Sequence, residues 1–112
     1  MTVEYQVVFW RDIPAQVRVR ESGNRLSRPL AKRFQVAIDE AAMRAGATGA
    51  QDYLDDWHTT EWQAHEGELN GVLDSVVFSL ETIYGPTLLR TLIAGGGRRP
   101  TSSNPAGEET PS

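Results

Sequence analysis

The segment VEYQVVFWRDIPAQVRVRE, residues 3–21, decides the fold. Apolar side chains alternate with polar ones on both sides of the central WRDIP, which is the period of a strand with one buried face. We therefore predict two strands, over residues 3–9 and 16–21, that pair as a hairpin. Because Pro14 fixes its own φ and favours an extended residue before it, we expect a wide connecting loop and not a two-residue turn.

Outward from this hairpin, the hydrophobic periodicity predicts further elements in the order helix, short helix, strand, helix, helix. The fold class predicted is α+β, with a small, mainly antiparallel, three-stranded sheet and helices packed on one face (β-β-α-α-β-α-α). The segment ESGNRLS between hairpin and first helix is predicted to be a loop. The elements after it are a helix from an N-cap at Ser27 to Gly46, a short helix through Tyr53 and Trp57, a strand over 59–65, a helix over 68–84 and a last helical segment from Pro86.

Length and composition favour a single domain. The chain has 112 residues, 39% of them hydrophobic, which suits one core. We predict a globular domain over residues 1–94 and a disordered tail over 95–112, because GGGRRPTSSNPAGEETPS contains no large apolar side chain.

The chain has no cysteine, so disulfides and thiolate chemistry are excluded. The N-terminus lacks a signal-peptide pattern and no apolar run reaches a membrane span, so we expect a cytoplasmic protein without membrane contact.

Charge is distributed unevenly along the chain, whose net charge is −4. Residues 11–33 contain seven basic and two acidic side chains, whereas residues 34–89 contain ten acidic side chains and one basic one. The basic stretch is either a recognition surface or the internal counterpart of the acidic half. The acidic remainder disfavours nucleic acid as a partner. Three bases also lie at the N-terminus of the first predicted helix, against the helix dipole, so another group should compensate them.

No catalytic or metal-binding motif is evident. His58, Glu61 and His65 have spacings that would share one face of a helix and could then bind a metal. On the predicted strand residues 58 and 61 point to opposite faces, so we predict no metal site and no cofactor. The adjacent acids Asp55 and Asp56 are expected to be solvated, and we assign no catalytic residue.

Arginine supplies the best candidate site. Arg18 and Arg20 share the outer face of the second strand, and Trp10, whose parity is opposite to that of Phe9, should point away from the core and stack on Arg18. If the hairpin end and the first helix N-terminus converge, guanidinium and backbone N–H groups would bind an anion. The predicted ligand-binding residues are Trp10, Arg11, Arg18, Arg20, Arg28, Lys32 and Arg33.

Three stretches in order, WRDIPAQV, RFQVAIDEAAMRAG and YLDDW, resemble the small bacterial virulence factor family. The resemblance covers residues 3–84 and leaves out the tail. It implies a short stand-alone protein, or a domain that is also attached to larger proteins, and it assigns no reaction and no ligand. The resemblance also suggests an accessory role beside corrinoid and folate methyl transfer.

Our leading functional hypothesis is a non-enzymatic binding or assembly module that recognises a protein partner or an anionic small ligand through the arginine-rich surface. The alternative is a small accessory subunit of an enzyme system, such as corrinoid or folate methyl transfer, with His58 or His65 as acid or base. Exposed edge strands in so small a sheet leave a homodimer open.

Overall fold

The computed structural model describes residues 2–47 and 49–99, where five strands and four helices form an α+β fold. The predicted class is confirmed, but the predicted number of three strands is wrong, because the observed order is β-β-β-α-α-β-β-α-α. The elements are β1 (Thr2–Trp10), β2 (Ile13–Glu21), β3 (Asn24–Pro29), α1 (Lys32–Ala45), α2 (Ala50–Asp55), β4 (Trp57–Thr59), β5 (Gln63–Glu66), α3 (Leu69–Ile83) and α4 (Pro86–Ala94).

The sheet is built around β1, which pairs antiparallel with β2 on one side and with both β4 and β5 on the other. Val8 pairs with Thr59 and Tyr5 pairs with Gln63, so two residues of β1 lie opposite the three residues 60–62. This extra residue is a β-bulge. The single strand predicted over 59–65 is therefore two short strands, separated by that bulge.

The turn between β1 and β2 is tight, and the predicted wide loop is wrong. Trp10 pairs with Ile13, which leaves Arg11 and Asp12 as a two-residue turn in which Arg11 has a φ of 53°. Pro14 lies inside β2, where the pairing shifts register between Val8 and Phe9. An irregularity in the ladder tolerates the missing N–H of a proline, so Pro14 does not force the strands apart.

Strand β3 replaces the loop predicted for ESGNRLS. Ser22 and Gly23 have φ angles of 46° and 88°, and two consecutive positive φ angles are typical of a type I′ hairpin turn. All six residues of β3 are exposed, so the strand has no buried face from which a period of two could be read. As a result α1 begins at Lys32, later than predicted. It ends where predicted, with Gly46 in the left-handed region at a φ of 73°.

The hydrophobic core lies between the sheet and its helices. Helix α3 contacts β1, β2 and β3, and α1 contacts β2 and α4. Val7 and Val17, which pair across β1 and β2, are buried on the helix side of the sheet. Burial of one such side chain stabilises the fold by roughly 1.5–3 kcal/mol. By strand alternation, Glu4, Gln6, Arg18 and Arg20 lie on the opposite side, which we call the open face.

The segment after α4 lies against the β1–β2 turn. Asp12 donates its N–H to the carbonyl of Gly97 at 2.8 Å, and its carboxylate accepts the N–H of Arg99 at 2.7 Å. The predicted disordered tail spans residues 95–112, and its part from residue 100 onward lies outside the described residues. Within the described ranges no single helix is long and apolar enough to cross a membrane. Helices α3 and α4, which meet at a bend of 68°, reach the length and apolar composition of a span only when they are taken together.

Candidate binding surface

Trp10 is part of the core, contrary to the prediction that it points away from it. It has 0% exposure, its Nε1 donates to the carbonyl of Tyr53 at 2.8 Å, and its ring stacks on that of Tyr53. Alternation assigns a side chain to one face of a strand but does not show what covers that face. Here α2 and the backbone of Gly97 cover it. The predicted stacking partner was also wrong, because Arg11 and not Arg18 lies over the indole, at 4.8 Å.

Arg11 has a structural environment. Its Nε donates to Asp56 Oδ2 at 3.0 Å, its Nη1 donates to the carbonyl of Gly96 at 2.9 Å, and its side chain is only 16% exposed. A guanidinium held by these two acceptors cannot reach a ligand without breaking them. The structure therefore separates Trp10 and Arg11 from the predicted binding set.

The basic residues around the start of α1 are directed toward α3. Arg28 forms an ion pair with Asp74, and Arg33 donates from Nη2 to the carbonyl of Glu81 at 2.7 Å. The carboxylate of Glu81 accepts the N–H of Ala31, the N-cap of α1, at 2.8 Å. This carboxylate is the compensating negative charge that the helix dipole requires. The basic groups at the start of α1 and Arg11 on the hairpin turn are therefore directed to different acceptors, and Lys32 is exposed.

Arg18 and Arg20 lie together on the open face, as predicted. Arg18 is exposed and donates from Nη1 to Gln6 Oε1 at 3.3 Å. Arg20 donates from Nε to Glu4 Oε1 at 2.8 Å. Gln6 is 7% exposed and is fixed by a second hydrogen bond from its Nε2 to the carbonyl of Thr60 at 3.0 Å. The two arginines therefore project from a part of the sheet in which the neighbouring Gln6 side chain is fixed by hydrogen bonds.

Trp62 and Arg25 complete this surface and were not predicted as site residues. Arg20 lies over the Trp62 ring, with its Cζ 3.9 Å from the ring centroid. Trp62 lies within the strand predicted over residues 59–65, and this was the available signal for it. Arg25 was not predicted as a site residue because its segment, β3, was predicted to be a loop. Arg20, Arg25 and Trp62 border a groove of about 490 Å³. Its other lining residues are Gln6, Arg18, Val19, Leu26 and Ser27.

The groove carries positive charge that the fold does not neutralise. Arg20 and Arg25 are direct cross-strand neighbours, an arrangement that costs stability for like charges. Glu4 offsets Arg20. Within residues 2–47 and 49–99, no carboxylate lies within 4.0 Å of the guanidinium of Arg18 or Arg25. Two planar, exposed guanidinium groups are thus available for bidentate bonds to an anion.

The histidines are far apart. His58 stacks on Phe9 and donates from Nε2 to the carbonyl of Arg11 at 2.7 Å, whereas His65 bonds from Nδ1 to the carbonyl of Glu66 at 2.8 Å. His58 and His65 pair with positions 9 and 3 of β1, six residues apart, which is about 20 Å along a strand. In the part of the chain that the structure describes, no three His, Asp or Glu side chains are grouped to hold a metal.

The comparisons with known proteins identify the family. Comparison with curated proteins and comparison with solved structures each gave no match. The family model described as Virulence factor matches residues 8–93, from the end of β1 almost to the end of α4. This match includes Arg18, Arg25 and Trp62. The chain belongs to the Virulence factor family.

Proposed function

We propose that this protein is a non-enzymatic binding module that recognises an acidic segment of a protein partner on the open face of its sheet. The observation that carries the proposal is the pair of exposed guanidinium groups, Arg18 and Arg25, beside Trp62 in one groove. Of the seven residues predicted from sequence, Arg18 and Arg20 belong to this groove.

The chemistry of the groove favours carboxylates. Arginine presents a planar fork of N–H donors that matches a carboxylate, and hydrogen bonds to charged groups contribute about 1.5–3 kcal/mol each. Arg20 is held between Glu4 and the Trp62 ring, so it presents its charge with little loss of side-chain entropy. Leu26 borders the groove and exposes 37% of its surface on the helix side of the same edge, where it offers an apolar contact. A peptide with both acidic and aliphatic side chains suits such a surface.

The test uses charge reversal on the full chain. A fluorescein-labelled heptapeptide of alternating glutamate and valine serves as the probe, and fluorescence anisotropy gives its Kd. We expect Arg18→Glu and Arg25→Glu each to weaken binding roughly tenfold or more, which corresponds to the loss of one charge-assisted contact. Arg90→Glu is the matched control, because Arg90 is an exposed arginine on α4, outside the groove. It should change the Kd by less than about twofold.

Circular dichroism and urea unfolding establish that each variant is folded. If folded Arg18→Glu and Arg25→Glu variants bind the peptide as the Arg90→Glu variant does, the proposal is wrong. A heptapeptide of alternating glutamine and valine controls for the apolar contribution. Equal affinity for the glutamine and glutamate peptides would likewise contradict a role for the arginines.

A further inference from the structure

The outer edge of β3 carries free backbone groups in a defined pattern. Leu30 donates its N–H to the carbonyl of Ala15 at 2.9 Å, in register with the β2–β3 pairing. Because antiparallel strands direct the backbone groups of alternate residues to the same side, residues 24, 26 and 28 face β2 and residues 25, 27 and 29 face outward. Among the described residues, only β2 pairs with β3. The edge thus offers two N–H donors, from Arg25 and Ser27, and the carbonyls of residues 25, 27 and 29.

The side chains beside this edge differ between the two faces. On the open face, Arg25 and Ser27 lie next to Arg18 of β2. On the helix face lies Leu26, and α3 exposes Phe78 at 72%. Phe78 lies one helical turn from Asp74, the partner of Arg28, so it occupies the side of α3 that faces the end of β3. A strand added to this edge would have a basic face on one side and apolar side chains on the other.

We infer that an extended acidic peptide segment binds by adding as a further strand to β3. This inference rests on the proposed function and names how the partner is held. Residues opposite Arg25 and Ser27 would have their side chains on the open face and their backbone groups directed at β3, as cross-strand partners do. Acidic residues at these alternate positions bring carboxylates to Arg25 and Arg18, and the intervening residues meet Leu26.

Charge decides between this occupant and a second copy of the chain. Antiparallel pairing of two β3 strands would bring Arg25 and Arg28 of both copies along one edge, and like charges across strands are destabilising. Basic residues and a terminal Pro29 are features that edge strands use against self-association. An acidic strand instead gains from the same charges.

The experiment uses the wild-type protein and two N-methylated forms of the glutamate-valine heptapeptide. Methylation of the glutamate amides removes the N–H groups that should face β3, whereas methylation of the valine amides removes groups that should face away. We expect the first peptide to bind at least roughly tenfold more weakly than the second. In the protein, Ser27→Pro removes both the hydroxyl and an outward N–H, whereas Ser27→Ala removes the hydroxyl and keeps that N–H. Ser27→Pro should bind the unmodified peptide roughly tenfold more weakly than Ser27→Ala.

The outcomes separate the two proposals. Equal binding of both methylated peptides overturns strand addition, and if Arg18→Glu still weakens binding, the proposed function stands without it. Unchanged affinity in the Arg18→Glu and Arg25→Glu variants overturns both. Sedimentation velocity adds a third arm. A dimer that Ser27→Pro dissociates, in a protein that does not bind the peptide, would identify a second copy as the occupant and would contradict the inference.

Discussion

At the scale of single residues, Trp10 shows how the end of the chain completes the core at its beginning. The backbone of Gly97 lies across the indole, and Gly97 has a φ of +95°. A Cβ at this position would lie 2.7 Å from Cζ3 of Trp10. Both the backbone conformation and the contact therefore require glycine.

Gly97→Ala should lower the free energy of unfolding by about 2 kcal/mol or more, because left-handed backbone strain and overpacking each cost roughly 1–3 kcal/mol. Gly71→Ala is the matched control, since Gly71 lies inside α3 and a Cβ there would meet open space. That change should raise stability by about 0.5–1 kcal/mol. Urea unfolding followed by tryptophan fluorescence measures both. Equal effects of the same sign would contradict the role assigned to Gly97.

At the scale of elements, α1 depends on α3 for its N-terminal cap. Ala31, at the N-cap, has no side chain that can accept a hydrogen bond, and Lys32 and Arg33 oppose the helix dipole. Glu81 of α3 accepts the Ala31 N–H and supplies a negative charge. The two helices are therefore coupled through one carboxylate.

Glu81→Ala should destabilise the domain by about 1–2 kcal/mol, because it leaves the Ala31 N–H without its acceptor. Glu81→Gln keeps an oxygen acceptor and removes only the charge, so it should cost about 0.5 kcal/mol. Thermal unfolding by circular dichroism distinguishes the two variants. A glutamine variant as unstable as the alanine variant would assign the effect to charge and not to capping.

Elements with a strongly buried face were predictable, whereas the fully exposed strand β3 was not. The stripe of Phe34, Ile38 and Ala41 and the final Gly46 indicated α1, and the alternation around Val17 indicated β2. Strand β3 is fully exposed, so its pairing leaves no mark on hydrophobicity. Two of the four main site residues, Arg18 and Arg20, were predicted from the alternation of side chains along β2. To place Arg25 one must know that β3 exists, and to place Trp62 one must know the bulge at residues 60–62. Both features arise from backbone pairing, which hydrophobicity does not report.

At the scale of the whole molecule, the two interpretations of the basic stretch apply to different residues. Arg11, Arg28 and Arg33 are directed to groups in the acidic half, at Asp56, Asp74 and the Glu81 carbonyl. Arg18 and Arg25 remain exposed on the open face. The net charge of −4 therefore coexists with a local basic surface on the open face.

Ionic strength should affect binding and stability differently. Raising NaCl from about 50 mM to about 500 mM should weaken binding of the glutamate peptide roughly tenfold or more, since exposed charges are screened over a few ångströms at that concentration. The free energy of unfolding should change by less than about 1 kcal/mol. Most ion pairs within the domain are partly exposed to solvent, and such pairs contribute little to stability. Anisotropy and urea titrations at both salt concentrations provide the comparison. A salt-independent Kd would contradict an electrostatic groove.

The contact between the β1–β2 turn and the segment after α4 also has a consequence for the order of folding. Arg11 and Gly96 are 85 positions apart in sequence, and contacts of such separation form late because they close long loops. On a ribosome, which releases the N-terminus first, the hairpin emerges long before the residues that seal it. Until almost the whole domain has been synthesised, α2 can cover the indole in the nascent chain, but the backbone of Gly97 cannot.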